Sequence, residues 1–141
     1  MATLLSGPAF MMLPDTLSER VAVLGASANP ERYAYKAIQL LLDYGHQVFP
    51  VSLKGDSVLG QTGYQSILDI ACPIDTVTMY ISSEKSDLLK EALLRCRPKR
   101  VIFNPGAENP ALVNTLRDAG IVCQDACTLV LLKTHQWTVA K

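Results

Sequence analysis

The chain carries little with which to bind a metal or a polyanion. Its two histidines, His46 and His135, stand far from its four cysteines, Cys72, Cys96, Cys123 and Cys127, and no two cysteines form a CxxC pair. A zinc site needs a cluster of such ligands, so no metal is expected. An excess of one charge is missing too, since 13 basic residues offset 13 acidic ones. Proteins that bind nucleic acid by bulk electrostatics need a clear basic excess. No nucleic-acid partner is expected, and any nucleotide must be held at a local site. No apolar run reaches the ~20 residues that span a bilayer, so no membrane is expected either. Residues 1–13 are apolar but no lysine or arginine precedes Arg20, which leaves out the basic segment of a secretory signal. A cytoplasmic location is therefore expected, with its thiols reduced. Cys123 and Cys127 lie in an apolar run, where free cysteine packs as a small hydrophobe.

What is present is enough apolar material for one core: 49% of 141 residues, in a chain of ordinary single-domain length. Residues 1–19 read as an N-terminal extension and residues 20–141 as the domain. The run 20–25, Arg-Val-Ala-Val-Leu-Gly, is short and almost wholly apolar, as a strand covered on both faces must be. Asn29 and Pro30 then read as the cap and first position of a helix. Ala34, Ala37, Ile38, Leu41 and Leu42 recur at helical spacing, and Gly45 supplies a stop where positive φ is wanted. Further strands are expected over residues 46–52, 75–81 and 100–104 and from Ile121. Short helices are expected over residues 64–70, after Ser82 or Ser83, after Asn109-Pro110, and in the tail from Thr128. The buried stripe of the helix after Ser82 is expected to be Leu89, Ala92, Leu93 and Cys96. Strand and helix alternate throughout, which specifies parallel βαβ units with right-handed crossovers. The expected fold is α/β: a doubly wound, Rossmann-like parallel sheet of about five strands with helices on both faces.

In an open parallel sheet, ligands bind beyond the carboxyl ends of the strands. That rule selects residues 25–32, 51–54, 81–83 and 104–109, where the sequence also turns small and polar. Gly25, Ala26 and Ser27 lead to a helix N-terminus, whose free N–H groups favour a phosphate; an ordinary tight turn would look the same. A dinucleotide dehydrogenase usually places an acidic residue after strand two, to bind the ribose hydroxyls. Lys54 stands there instead, which favours a phosphorylated nucleotide such as coenzyme A (CoA) over NAD. Tyr33 and Tyr35 could stack on an adenine or simply cover the sheet. Glu108 could orient a ligand or help Asn109 cap its helix. No nucleophile–base–acid set is visible.

These residues carry a resemblance. Gly25-Ala-Ser27, Pro30, Arg32 and Tyr35, then Val48-Phe-Pro-Val51 and Lys54, resemble the small CoA-binding proteins, which are similar to the CoA-binding domain of the succinyl-CoA synthetase α-subunit. Gly60, Tyr64-Gln-Ser66, Asp69-Ile70 and the run from Asn104 through Gly106 and Glu108 to Asn109 match further. Asp125 and Cys127 fall where that family carries Asp-Arg-Cys, and Ala126 replaces the arginine. The family's Val-Asn-Pro-Lys reads Val51-Ser-Leu-Lys54 here. The family's usual glutamine before the turn of the fourth loop is Asn104 here. The resemblance implies binding of CoA or acyl-CoA at Gly25, Ala26, Ser27, Pro30, Arg32, Lys54, Ser82, Asn104, Gly106, Glu108 and Asn109. It implies no catalytic set of the chain's own. An NAD(P)-binding oxidoreductase or redox sensor is the alternative, as is a subunit that supplies the CoA site to a larger enzyme. Whether the chain acts alone, as a homodimer or beside an enzyme partner chain stays open.

Overall fold

The structure is a computed structural model and describes residues 17–138. The expectations for residues 1–16, including most of the N-terminal extension, lie outside the described residues. Five parallel strands form one sheet: β1 (Arg20–Leu24), β2 (Gln47–Val51), β3 (Thr76–Met79), β4 (Arg100–Phe103) and β5 (Val122–Asp125). Their order is β2-β1-β3-β4-β5, so the chain reverses its direction of travel across the sheet between β1 and β3. The helices are α1 (Tyr33–Asp43), α2 (Ser83–Ser86), α3 (Lys90–Cys96), α4 (Pro110–Asp118) and α5 (Thr128–Lys133).

Alternation along the strands splits the apolar residues between two cores. Val21, Val23 and Ile102 face one way and pack with Ile38 and Leu41 of α1 and Leu131 and Leu132 of α5. Ala22, Leu24, Val101 and Phe103 face the other way and pack with Leu93 of α3 and Leu112 and Leu116 of α4. Burial on both faces is what a continuous apolar strand requires, and it is why the runs at 20–24 and 100–103 show no polar alternation. The doubly wound α/β architecture is as the alternation of elements predicted.

Several element ends differ from expectation, for local reasons. The first helix does not begin at Asn29 and Pro30. Asn29 instead holds a turn: its side chain accepts from the N–H of Glu31 at 2.9 Å and its carbonyl from that of Arg32 at 3.0 Å. α1 begins only at Tyr33, with Arg32 at the cap position making no side-chain cap. The same dipeptide at Asn109-Pro110 does start a helix, with Asn109 Oδ1 accepting from Leu112 N–H at 3.1 Å. At its other end α1 stops as expected: Gly45 has φ of +89° and donates to Leu42, while His46 N–H reaches back to Leu41. Residues 64–70 hold only a 3-10 turn, Ile67–Asp69, because Tyr64 is drawn onto the edge of β2. The helix after Ser82 is broken by a 3-10 turn, Asp87–Leu89. Of its expected buried stripe only Leu93 is fully covered; Leu89, Ala92 and Cys96 pack half-buried against the core.

Edge strand β2 contains Pro50, which has no N–H to offer. Its carbonyl accepts from Tyr64 N–H at 2.9 Å, and Ser52 N–H donates to Tyr64 at 3.0 Å, so the loop after β2 covers this edge. On the far edge, Arg117 donates to the Cys123 carbonyl at 3.0 Å.

A buried charge network lies at the amino ends of the strands. The Arg100 guanidinium, 1% exposed, is 3.5 Å from Glu19 Oε1 and donates to Thr76 Oγ1, Gln124 Oε1 and the Trp137 carbonyl. Thr76 donates to the same Glu19 oxygen, and Glu19 N–H donates to His46 Nδ1 at 3.0 Å. The Trp137 ring covers Arg100 at 4.4 Å and meets the His46 ring at 5.4 Å. Burial lowers the Arg100 pKa, and the Glu19 carboxylate opposes that shift. This network fastens the C-terminal segment to the underside of the sheet.

Candidate functional site

At the carboxyl ends of the strands, where the chain reverses direction, lies an open cleft of about 430 Å³. Its walls come from the turn after β1 and the start of α1 (Gly25, residues 31–34), from the end of β3 (residues 80–82), and from the loop after β4 (residues 105–107). This is where an open parallel sheet with a reversal point is expected to take a ligand.

Gly25 makes the cleft possible. Its φ is +89°, and a Cβ there would stand 2.6 Å from Ile81 Cγ2 and 3.0 Å from the Tyr80 carbonyl. Its N–H and that of Ala26 both donate to the Val51 carbonyl, at 2.9 and 3.1 Å, which ties the turn to the end of β2. We expect Gly25→Ala to destabilise the chain by roughly 1–3 kcal/mol, from left-handed strain and displacement of Ile81. Urea denaturation checks this, and an unchanged midpoint would show that the turn adapts.

The first turn of α1 has no acidic residue and no side-chain cap, and its Tyr33 and Ala34 line the cleft. Arg32 is exposed beside them, with Glu31 as the neighbouring anion. Ser82 is exposed, its hydroxyl makes no cap bond to α2, and it lines the opposite wall. The floor holds Tyr80. Burial pushes its hydroxyl up to about 12, against hydrogen bonds with Thr128 and Thr78, so it stays a neutral phenol.

Of the residues singled out from sequence, Gly25, Arg32, Ser82 and Gly106 come together on this cleft. Ala26, Ser27 and Pro30 belong to the same turn without lining it. Ser27 Oγ accepts from Asn29 N–H at 3.0 Å. Lys54 is exposed in the loop after β2 and does not line the cleft. Glu108 does not assist Asn109; its carboxylate accepts from Gly106 N–H at 2.9 Å and closes the turn of the fourth loop.

Asn104 and Asn109 are buried, and their side chains face the protein. Asn104 donates to Thr78 Oγ1 and the Met79 carbonyl and accepts from Thr128 N–H at 2.8 Å, joining β3, β4 and α5 under the cleft. Asn109 donates to Ser83, Ser86 and Asp87 besides capping α4. They shape the loops that bound the cleft. Tyr33 and Tyr35, equivalent from sequence, separate here: Tyr35 packs half-buried against the core, while Tyr33 is 70% exposed and lines the cleft. Tyr80 escaped the sequence reading because strand three was drawn to residue 81; β3 ends at Met79, which leaves Tyr80 on the ligand side.

No helix among the described residues is long and apolar enough to cross a membrane. Among the described residues no group of three or more His, Cys, Asp and Glu could hold a metal ion.

Comparison with known proteins finds relatives over most of the chain. The chain is 29% identical over 114 residues to the uncharacterized protein YneT of Bacillus subtilis, covering 80% of this chain and 84% of that one. It is 29% identical over 82 residues to the ADP-forming acetate–CoA ligase II subunit alpha of Pyrococcus furiosus, covering 57% of this chain and only 17% of the ligase subunit. Among solved structures, a Thermus thermophilus protein superposes with a TM-score of 0.81 at 26% identity, over 89% of this chain and 96% of that one. The profile of the CoA-binding domain family matches residues 19–133, nearly the whole described chain, and the protein therefore belongs to that family.

Proposed function

We propose that this chain binds CoA or acyl-CoA as a stand-alone module, without chemistry of its own. The observation that carries the reading is the cleft itself: a turn open only to glycine, delivering an uncapped helix N-terminus to the reversal point of the sheet. Such a terminus offers N–H donors and a positive dipole end to a phosphate. The cleft walls present no histidine, cysteine or lysine, which supports binding over catalysis. The matched ligase subunit supports a second context, in which a partner chain supplies the reacting groups. The NAD(P) reading is not favoured, since the family is a CoA-binding one and no acidic residue follows β2 where a ribose diol would need it.

CoA is expected to stabilise the fold, by about 2.7 kcal/mol at 100 times its dissociation constant. At about 2–4 °C per kcal/mol the melting temperature rises by about 5–11 °C. Thermal denaturation with CoA, acetyl-CoA and NAD checks this. A rise with NAD and none with either CoA species would reverse the assignment.

A further inference from the structure

We infer that Tyr33 is the platform for the adenine ring of the ligand, an inference that rests on the CoA reading above. The Tyr33 ring is 70% exposed and stands on the cleft wall, where its face is open to a ligand. Lys36, one turn on, places its ammonium 5.7 Å from the ring centroid. Lys36 is itself exposed, so the cation lies over the ring without closing it off from solvent. A purine can stack on the ring while the lysine charge stays within reach of a phosphate on the attached ribose. The neighbour Ala34 is buried, so the backbone that carries Tyr33 is anchored while its side chain projects outward. Tyr35 is half-buried against the core and does not line the cleft, which leaves Tyr33 as the aromatic surface at this end of it. Every nucleobase has a π-face, so the platform holds the base by area and leaves recognition of the rest to the turn and helix terminus.

The test uses the full chain and calorimetric titration with CoA for the wild type, Tyr33→Phe and Tyr33→Ala. Proton NMR follows the adenine H2 and H8 signals of CoA in each titration. Tyr33→Phe should bind as the wild type does. Tyr33→Ala should bind about tenfold more weakly, the size of effect expected for loss of one base–aromatic stack. The adenine protons should move upfield with the wild type and Tyr33→Phe and lose that ring-current shift with Tyr33→Ala. Melting temperatures without ligand should coincide, because the ring is exposed. If CoA binds the wild type and Tyr33→Ala within twofold of each other, or if the adenine protons do not shift, the platform is wrong and the CoA reading stands. If the wild type does not bind CoA at all, the CoA reading falls and the platform with it.

Discussion

Trp137→Ala is expected to destabilise the chain by about 3–5 kcal/mol, the usual cost of truncating a fully buried large aromatic. The ring is 0% exposed and rests on Arg100 at 4.4 Å. Its removal leaves a void beside a buried guanidinium and withdraws the cation–π contact as well. The Trp137 carbonyl, an acceptor for Arg100 at 2.6 Å, survives the substitution only if the C-terminal segment keeps its place. A loss of this size lowers the melting temperature by about 6–20 °C. Trp137 is the only tryptophan, so unfolding of the variant has to be followed by circular dichroism. A loss below 1 kcal/mol would mean that the C-terminal segment contributes little to the fold. CoA affinity should change little, because the network sits at the end of the sheet opposite the cleft.

Lys54→Ala has the reverse signature: affinity falls and stability holds. Lys54 is exposed in a loop pinned by Gly55 N–H to Ser52 and by Gln65 Nε2 to the Leu53 carbonyl at 3.1 Å. It follows β2, whose last carbonyl holds the Gly25 turn, so the loop that carries it is tied to the turn beside the cleft. On the CoA reading, a phosphate of a long, extended ligand would reach it there. Hydrogen bonds to charged groups contribute roughly 1.5–3 kcal/mol. The variant should therefore bind CoA about ten- to a hundredfold more weakly, at 1.4 kcal/mol per factor of ten. Calorimetric titration of both proteins at one fixed salt concentration reads this directly. Equal affinities would remove Lys54 from the site and leave the cleft walls to hold the ligand alone.

Much of the fold was legible because it depends on short-range pattern. Apolar runs of strand length, ended by small or polar residues and followed by helical spacing, are enough to place about five parallel strands along the chain. The first helix start was misread because Asn-Pro suits both a cap and a turn, and only the hydrogen bonds of Asn29 decide which. Asn104 and Asn109 show a second limit. Their places at the strand ends were read correctly, but position does not reveal that Thr78, Thr128 and Ser86 claim their side chains. The Arg100 network was invisible for the same reason. Its partners, Glu19, Thr76, Gln124 and Trp137, are brought together from separate elements. Arginine at the start of a strand reads as a solvated end until those partners converge. The cleft was legible as a location, through the rule for parallel sheets, and its walls were legible only in part.

The two margins of the sheet bear on how copies of this chain meet in solution. Pro50 offers no donor on the β2 side, and Tyr64 already occupies the neighbouring carbonyl and the Ser52 donor. An incoming strand would have to evict that loop before it could pair. On the β5 side Arg117 holds the Cys123 carbonyl and sets a positive charge against any approaching backbone. Strand addition at either margin therefore has to displace a bond already made, the arrangement that keeps exposed sheets from growing into fibres. The protein should tolerate the high concentrations that calorimetry and NMR demand, and any pairing of two copies should run through helices or loops.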